Sequence, residues 1–237
     1  MGGTGRVMRR VRLAVVGAAL AAAATCDAGQ EAAVTAPVDP RHRLVMETAR
    51  YRVYDVLVPP GEATLLHAPA ADSFAVMLTS GELALNAQHG PRVVATQPGA
   101  VTFASATPRP PARRVVARGA VPFRHLTLEL RQPPARANAA ARSERVDAAL
   151  VRVRQTPRGH AYRLDLSPNQ AALLPAQAAD LFVVCLSDGA LRLHFEGQTD
   201  GAWRCRSGDF RLLERARGAF LESHARTPLA LVVIALH

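Results

Sequence analysis

YDVLVPPGEATLLHAPAADSFAVMLTSGELAL, residues 54–85, and YRLDLSPNQAALLPAQAADLFVVCLSDGALRL, residues 162–193, align without a gap at a constant offset of 108. Fifteen of the 32 pairs are identical, among them Tyr54/Tyr162, Leu65/Leu173, Asp72/Asp180, Phe74/Phe182, Gly81/Gly189 and Leu85/Leu193. Self-similarity at a fixed period marks duplicated structural units. A period this long is a small domain rather than one turn of a solenoid. The chain therefore contains two units of roughly 85–90 residues, each small for independent folding, which gain by sharing buried surface. The copies differ in their polar residues, and there the functional argument lies.

Working outward, strand-like segments follow one another between Gly and Pro turns. Tyr51–Val58 alternates with period two, Pro59-Pro60-Gly61-Glu62 turns the chain, and Ser73–Leu78 is an apolar run. Leu83–Asn86, Val93–Thr96, Ala100–Phe103, Arg114–Ala117 and Arg124–Leu130 complete the first set. Tyr162–Leu166, Leu181–Leu186, Ala190–Phe195, Trp203–Arg206, Phe210–Leu213 and Leu229–Leu236 form the second. Short strands at this spacing predict an all-β fold of the sandwich or barrel kind. The expected domains are 43–130 and 150–237, joined by an Ala/Arg/Pro-rich linker, 131–149, in which Ala139–Leu150 could form a short helix.

Residues 1–28 have the pattern of a signal peptide. A basic stretch precedes the 12-residue apolar run Leu13–Ala24, which is too short for a bilayer span. Cleavage after Ala24 or after Ala28 fits small-residue rules, and a spacer, 29–42, follows. Export to the periplasm or beyond is the expectation, with a lipid anchor at Cys26 as the rival; Thr25 departs from the small residue that anchor prefers. No later segment reaches transmembrane length. An oxidising compartment permits a Cys185–Cys205 bridge, but two buried thiols fit the spacing equally.

All 29 basic residues are Arg, and four of them (Arg6, Arg9, Arg10, Arg12) lie in the leader. The remainder are scattered without interleaved aromatics, which argues against a nucleic-acid partner. Nucleophile elbows, phosphate-binding glycine loops and Cys/His dyads are missing from the sequence. Asp72 and Asp180 sit before the apolar run in both copies, as turn residues bonding their own backbone would. Trp203, the single Trp, suits partly buried packing better than stacking on a sugar.

Both units resemble the cupin superfamily, whose small jelly-roll (double-stranded β-helix) barrels occur in tandem as bicupins. The family's first motif is G-x5-H-x-H-x4-E-x6-G and its second G-x5-P-x-G-x2-H-x3-N; three His and the Glu hold a divalent metal. In this chain the first motif falls on Gly61, His67, Pro69, Phe74 and Gly81, so Pro replaces the second His and Phe the Glu. The second copy gives Asn169, Pro175, Gln177, Phe182 and Gly189. For the second motif, Gly208 and Pro228 place Ala219 at the His position. In the first copy, counting back from Pro122 places Arg113 there and Ala117 at the Asn, whereas counting forward from Gly99 reaches Pro110. Three extra residues within Pro108–Pro111 reconcile the counts in favour of Arg113.

The resemblance thus implies two tandem jelly-roll barrels with eroded ligand sets. A catalytic divalent ion needs about three protein ligands and an open position, and neither copy offers them. No metal and no cofactor are expected. His89, His125, His160, His194, His224 and His237 match no ligand position. What remains is a candidate ligand site of His67, Arg113 and Arg114 over a floor including Phe74, suited to a small anionic or sugar-like molecule. The expected function is an exported, metal-free protein that binds a small ligand or acts structurally, with a homodimer through exposed sheet edges as a further expectation. The alternative is a cupin-type enzyme, a dioxygenase or sugar isomerase, using His67 or an atypical site.

Overall fold

Period-two alternation governs the architecture, because nearly every central strand buries both of its faces. The computed structural model describes residues 33–35, 38–87, 90–107, 111–132, 147–175, 180–195, 198–214 and 218–237. The segment expected to be a signal peptide, with Cys26, most of the expected linker, Gln177, His89 and Pro110 lie outside them. Residues 32–237 form one unit. The described residues are all β, with no helix long and apolar enough to cross a membrane.

The first barrel contains β1 (Val34–Thr35), β2 (His42–Glu47), β3 (Tyr51–Val58), β4 (His67–Ala68) and β5 (Asp72–Met77). It continues with β6 (Gly81–Ala87), β7 (Gly90–Thr96), β8 (Val101–Ala104), β9 (Arg113–Ala117) and β10 (Phe123–Leu130). Two sheets, ordered β1-β4-β9-β6-β7 and β2-β3-β10-β5-β8, face each other. The second barrel is built from β11 (Leu150–Thr156), β12 (Gly159–Leu166), β13 (Ala171–Leu173), β14 (Asp180–Cys185) and β15 (Gly189–Phe195). After these come β16 (Gln198–Cys205), β17 (Phe210–Glu214), β18 (Phe220–Ser223) and β19 (Leu229–Leu236). Its sheets, β11-β12-β19-β14-β17 and β13-β18-β15-β16, repeat the order of the first. The protein is two tandem jelly-roll barrels. Edge strands β2 and β11 carry no strong alternation and lie beyond the expected segments; β1 and His42 fall within the stretch expected to be spacer.

The β2-β3-β10-β5-β8 sheet of the first barrel packs against the β11-β12-β19-β14-β17 sheet of the second. Val53, Phe74, Val76, Leu126 and Leu128 from the first barrel share one buried cluster with Phe182, Val184, Val232 and Ile234 from the second. Phe74 and Phe182, equivalent in the repeat, therefore occupy the layer between barrels, each fully buried. A buried Phe contributes about 1.5–3 kcal/mol by leaving water.

Ion pairs at the corners of this layer obey the same offset. Arg50 Nη1 lies 2.6 Å from Asp180 Oδ2, and Arg158 Nε lies 3.5 Å from Asp72 Oδ2. Each barrel's Arg reaches the other's Asp. The Tyr51 hydroxyl also donates to Asp180. Asp72 additionally accepts from the Ala106 N–H at 2.8 Å. The two aspartates are thus more than the turn residues expected from their position; they clamp one barrel to the other.

Gly99 and Gly208 occupy equivalent turns with φ of 85° and 90°. A Cβ at Gly99 would collide with Leu186 and Arg163, and one at Gly208 would press on Leu78 and Arg124. These glycines let the turns approach the opposite barrel.

Asp180 is fully buried, whereas the Asp72 side chain is 17% exposed. Removing one member of a buried pair costs about 3–5 kcal/mol because it strands the other charge. Asp72→Ala strands Arg158, whose side chain is 8% exposed, and is expected to lose about that much in urea denaturation. Asp180→Ala leaves Arg50 28% exposed with Glu214 still 3.0 Å away, and is expected to lose less. Equal losses would show that the clamps do not act through burial.

Candidate functional site

The inward face of the first barrel's β2-β3-β10-β5-β8 sheet carries a row of polar side chains. On β10, Phe123, His125, Thr127 and Glu129 point inward, while Leu126, Leu128 and Leu130 face the second barrel. Pairing aligns His42, Val56, His125 and Met77 across β2, β3, β10 and β5. The opposite sheet contributes His67 and Arg113, which are direct register partners on β4 and β9. Between the sheets lies a cavity of about 150 Å³, completed by Thr64, Ser73, Ala75, Leu83 and Val115.

The structure divides the four candidate residues. His67 and Arg113 meet in the cavity. Arg114, one residue on, falls on the other face of β9 and does not line it. Phe74 is no floor to this cavity: Ser73 and Ala75 face inward, so Phe74 must face outward. The motif count placed the Glu position one residue too late, and one residue along a strand exchanges its faces. The same holds for Leu181, inside the second barrel, and Phe182, outside it.

Sequence reasoning missed His42, His125 and Glu129. On β10 the polar residues alternate with leucines, as they would on a solvent-facing strand. The available signal was the second copy, where Leu229, Leu231, Val233 and Ala235 hold the aligned inward positions on β19.

Each histidine has a defined setting. His67 Nδ1–H donates to the Leu65 carbonyl at 2.9 Å, which leaves Nε2 as the acceptor of the neutral ring. The His42 ring stands edge-on to His67 with centroids 5.0 Å apart. Asp39 Oδ2 is 3.6 Å from His42 Nδ1, beyond hydrogen-bond range, because that carboxylate already accepts the Arg41 and Leu65 N–H groups at 3.0 and 2.7 Å. His125 packs against Phe123 with ring centroids 5.0 Å apart. The Nδ1 atoms of His42 and His125 are buried without hydrogen-bond partners.

Electrostatics follows from burial and from a predominance of cationic groups. Burial, then His67, lowers the His42 pKa to about 4, against the pull of Asp39. Burial, reinforced by His42, Arg113 and His67, lowers that of His125 to about 3. His67 is lowered chiefly by burial, and Arg113 by burial alone. Among the described residues no carboxylate is paired with the Arg113 guanidinium. Glu129 lies four residues from His125 along β10, about 14 Å. Burial raises its pKa, and the Tyr54 hydroxyl donates to it.

The divalent metal of the family motif does not fit these residues. Among the described residues no three His, Cys, Asp or Glu side chains converge closely enough to share an ion. A guanidinium stands directly across from His67, and Glu129 is engaged at the opposite end.

The second barrel shows the apolar solution at the same positions. Register and the repeat match His42 with Leu150, Thr64 with Ala172, His67 with Pro175 and Ser73 with Leu181. They likewise match Arg113 with Ala219, His125 with Leu231, Thr127 with Val233 and Glu129 with Ala235. Of these partners all but Pro175 are apolar residues of one packed core, which also holds Leu193 and Trp203. Cys185 and Cys205 are free thiols buried in it.

No protein-family model matches the chain, and no curated protein matches it in sequence. Solved structures match in fold. YhaK from Escherichia coli is 17% identical with a TM-score of 0.56, over 81% of this chain and 87% of its own. AerE from Microcystis aeruginosa is 12% identical with a TM-score of 0.59, over 84% and 98%. Oxalate decarboxylase from Lactobacillus farciminis, solved as a formate complex, is 11% identical with a TM-score of 0.56, over 80% and 78%. With these neighbours and its repeated barrel topology, the chain has the cupin fold in its tandem, two-barrel form.

Proposed function

We propose that this is an exported binding protein for a small organic anion, without a metal, whose site is the first barrel and whose second barrel is a structural partner. One observation carries the reading: eight inward positions that are apolar in the second barrel are polar or charged in the first. A buried polar group lacking its partner costs about 1–3 kcal/mol, and the sister barrel demonstrates an apolar alternative at every position. Retaining such groups needs a reason outside stability. A guanidinium without a carboxylate, beside imidazoles that can donate, suits a carboxylate ligand. The cavity volume matches one that holds benzene, so the ligand is of roughly benzoate or hexanoate size. Export rests on the leader alone.

Thermal shift tests the site. A ligand at about 100 times its Kd adds about 2.7 kcal/mol to stability, so benzoate or hexanoate at millimolar concentration is expected to raise Tm by several degrees. Arg113→Ala is expected to abolish the shift. Elemental analysis of the purified protein is expected to find no stoichiometric iron, manganese, nickel or zinc; such a metal would overturn the reading.

Acid stability tests the histidines. The unfolded chain protonates these rings below pH 6.5, the folded chain only below about 4 for His42 and about 3 for His125. Stability is therefore fully present above pH 6.5 and falls as the pH drops towards those values, by up to about 1.4 kcal/mol per unit for each ring. His125→Leu, the residue found at the equivalent position 231, is expected to raise stability at pH 7 by about 1–2 kcal/mol and to flatten the acid slope. An unchanged slope would mean that the ring titrates normally.

A further inference from the structure

The two partnerless Nδ1 atoms lie in the same cavity as a guanidinium with no carboxylate, and these are two different demands. An anion satisfies the guanidinium. An acceptor-only carboxylate satisfies an imidazole only where that ring presents an N–H. Neutral His67 already spends its N–H on the Leu65 carbonyl and shows the cavity a lone pair. To hydrogen-bond a carboxylate, His67 must gain a proton at Nε2.

We propose that the first barrel takes up its ligand as a weak carboxylic acid in two parts, the carboxylate on Arg113 and one proton on the adjoining histidine cluster. This rests on the reading of the barrel as an anion site and adds what governs it. The balance is simple: carboxylate, one proton and neutral cluster give an imidazolium–carboxylate pair, with no bond broken beyond the acid's own O–H.

The groups facing the cluster support this stoichiometry. From the segment before β2 comes Asp39, which both backbone N–H groups already occupy. From β9 comes Arg113, which opposes any proton on His67 or His125. From β3 comes Asp55, turned outward and bound by Arg43 at 2.7 Å and Arg124 at 2.9 Å. From β10, Glu129 sits at the far end with Tyr54. Among the described residues the carboxylates nearest the cluster, Asp39 and Glu129, are already held by two backbone N–H groups and by Tyr54, and burial holds the rings neutral. An arriving carboxylate supplies a further negative charge, so proton and anion bind cooperatively, each raising the affinity for the other.

Titration calorimetry of the full chain with benzoate, run at pH 7 in two buffers of different ionisation enthalpy, counts the protons. Uptake of close to one proton per benzoate is expected, with Kd tightening about tenfold per unit as pH is lowered from 8 to 6. Histidine ring signals in NMR are expected to shift to the imidazolium form on benzoate addition. Binding with no proton uptake and a pH-independent Kd would overturn the coupling and leave the anion site standing. Uptake with unmoved ring signals would place the proton on Glu129 and overturn it equally. No binding of benzoate or hexanoate at any pH would sink the anion site itself, and the coupling with it.

Discussion

The sheet between the barrels must be dry on both faces, and most of the structure follows from that. A strand in such a sheet serves two cores at once, its odd residues belonging to one and its even residues to the other. On β5, Phe74 and Val76 answer to the sister barrel while Ser73, Ala75 and Met77 answer to their own. Because the units are duplicates, the contact is self-complementary in the manner of a two-fold dimer, though both halves lie in one chain. Arg50 with Asp180 and Arg158 with Asp72 are the same contact made twice.

That shared layer explains how the two interiors could diverge. Each barrel draws stability from a surface that does not include its own cavity. The second barrel has gone to a filled apolar core, with Leu181, Leu231 and Trp203 closing the space. The first keeps His125 and Glu129 buried at 9% and 3% exposure in a core that holds a cavity. An isolated unit of this size could hardly bear several groups costing about 1–3 kcal/mol each, since a whole domain retains only about 5–15 kcal/mol. Fusion to a better-packed copy supplies the margin.

How much of this was legible in the sequence depended on which signals survive a one-residue ambiguity. The duplication, the all-β class and the tandem jelly roll were plain, because glycines and apolar runs repeat at one offset. His67 and Arg113 were legible through a motif frame anchored by Gly61 and Pro122. Phe74 was misplaced because the frame fixes a position only to within a residue, and a strand reverses its faces in that interval. His42 lay in what looked like spacer, on an edge strand without alternation. His125 and Glu129 were hidden in plain alternation, since polar residues facing a cavity and polar residues facing water look the same along a strand. The aspartates looked local because their partners are more than 80 residues away, across a contact that no single copy reveals.

A cupin barrel that holds a divalent cation must present negative charge and lone pairs to its centre. In the site proposed above, Arg113 stands across from His67 while Glu129 is held by Tyr54, an arrangement suited to an anion rather than a cation. Reversal alone would be costly, because several buried cations repel one another across a low-dielectric space. Histidine resolves the conflict. Its ring stays neutral while the cavity is empty, so the barrel folds around one permanent positive charge rather than four. On the proposed coupling, the further charge becomes available only when an anion is present to offset it. Lysine or arginine at positions 42 and 125 would bind an anion as well, but the empty barrel would carry that repulsion at all times.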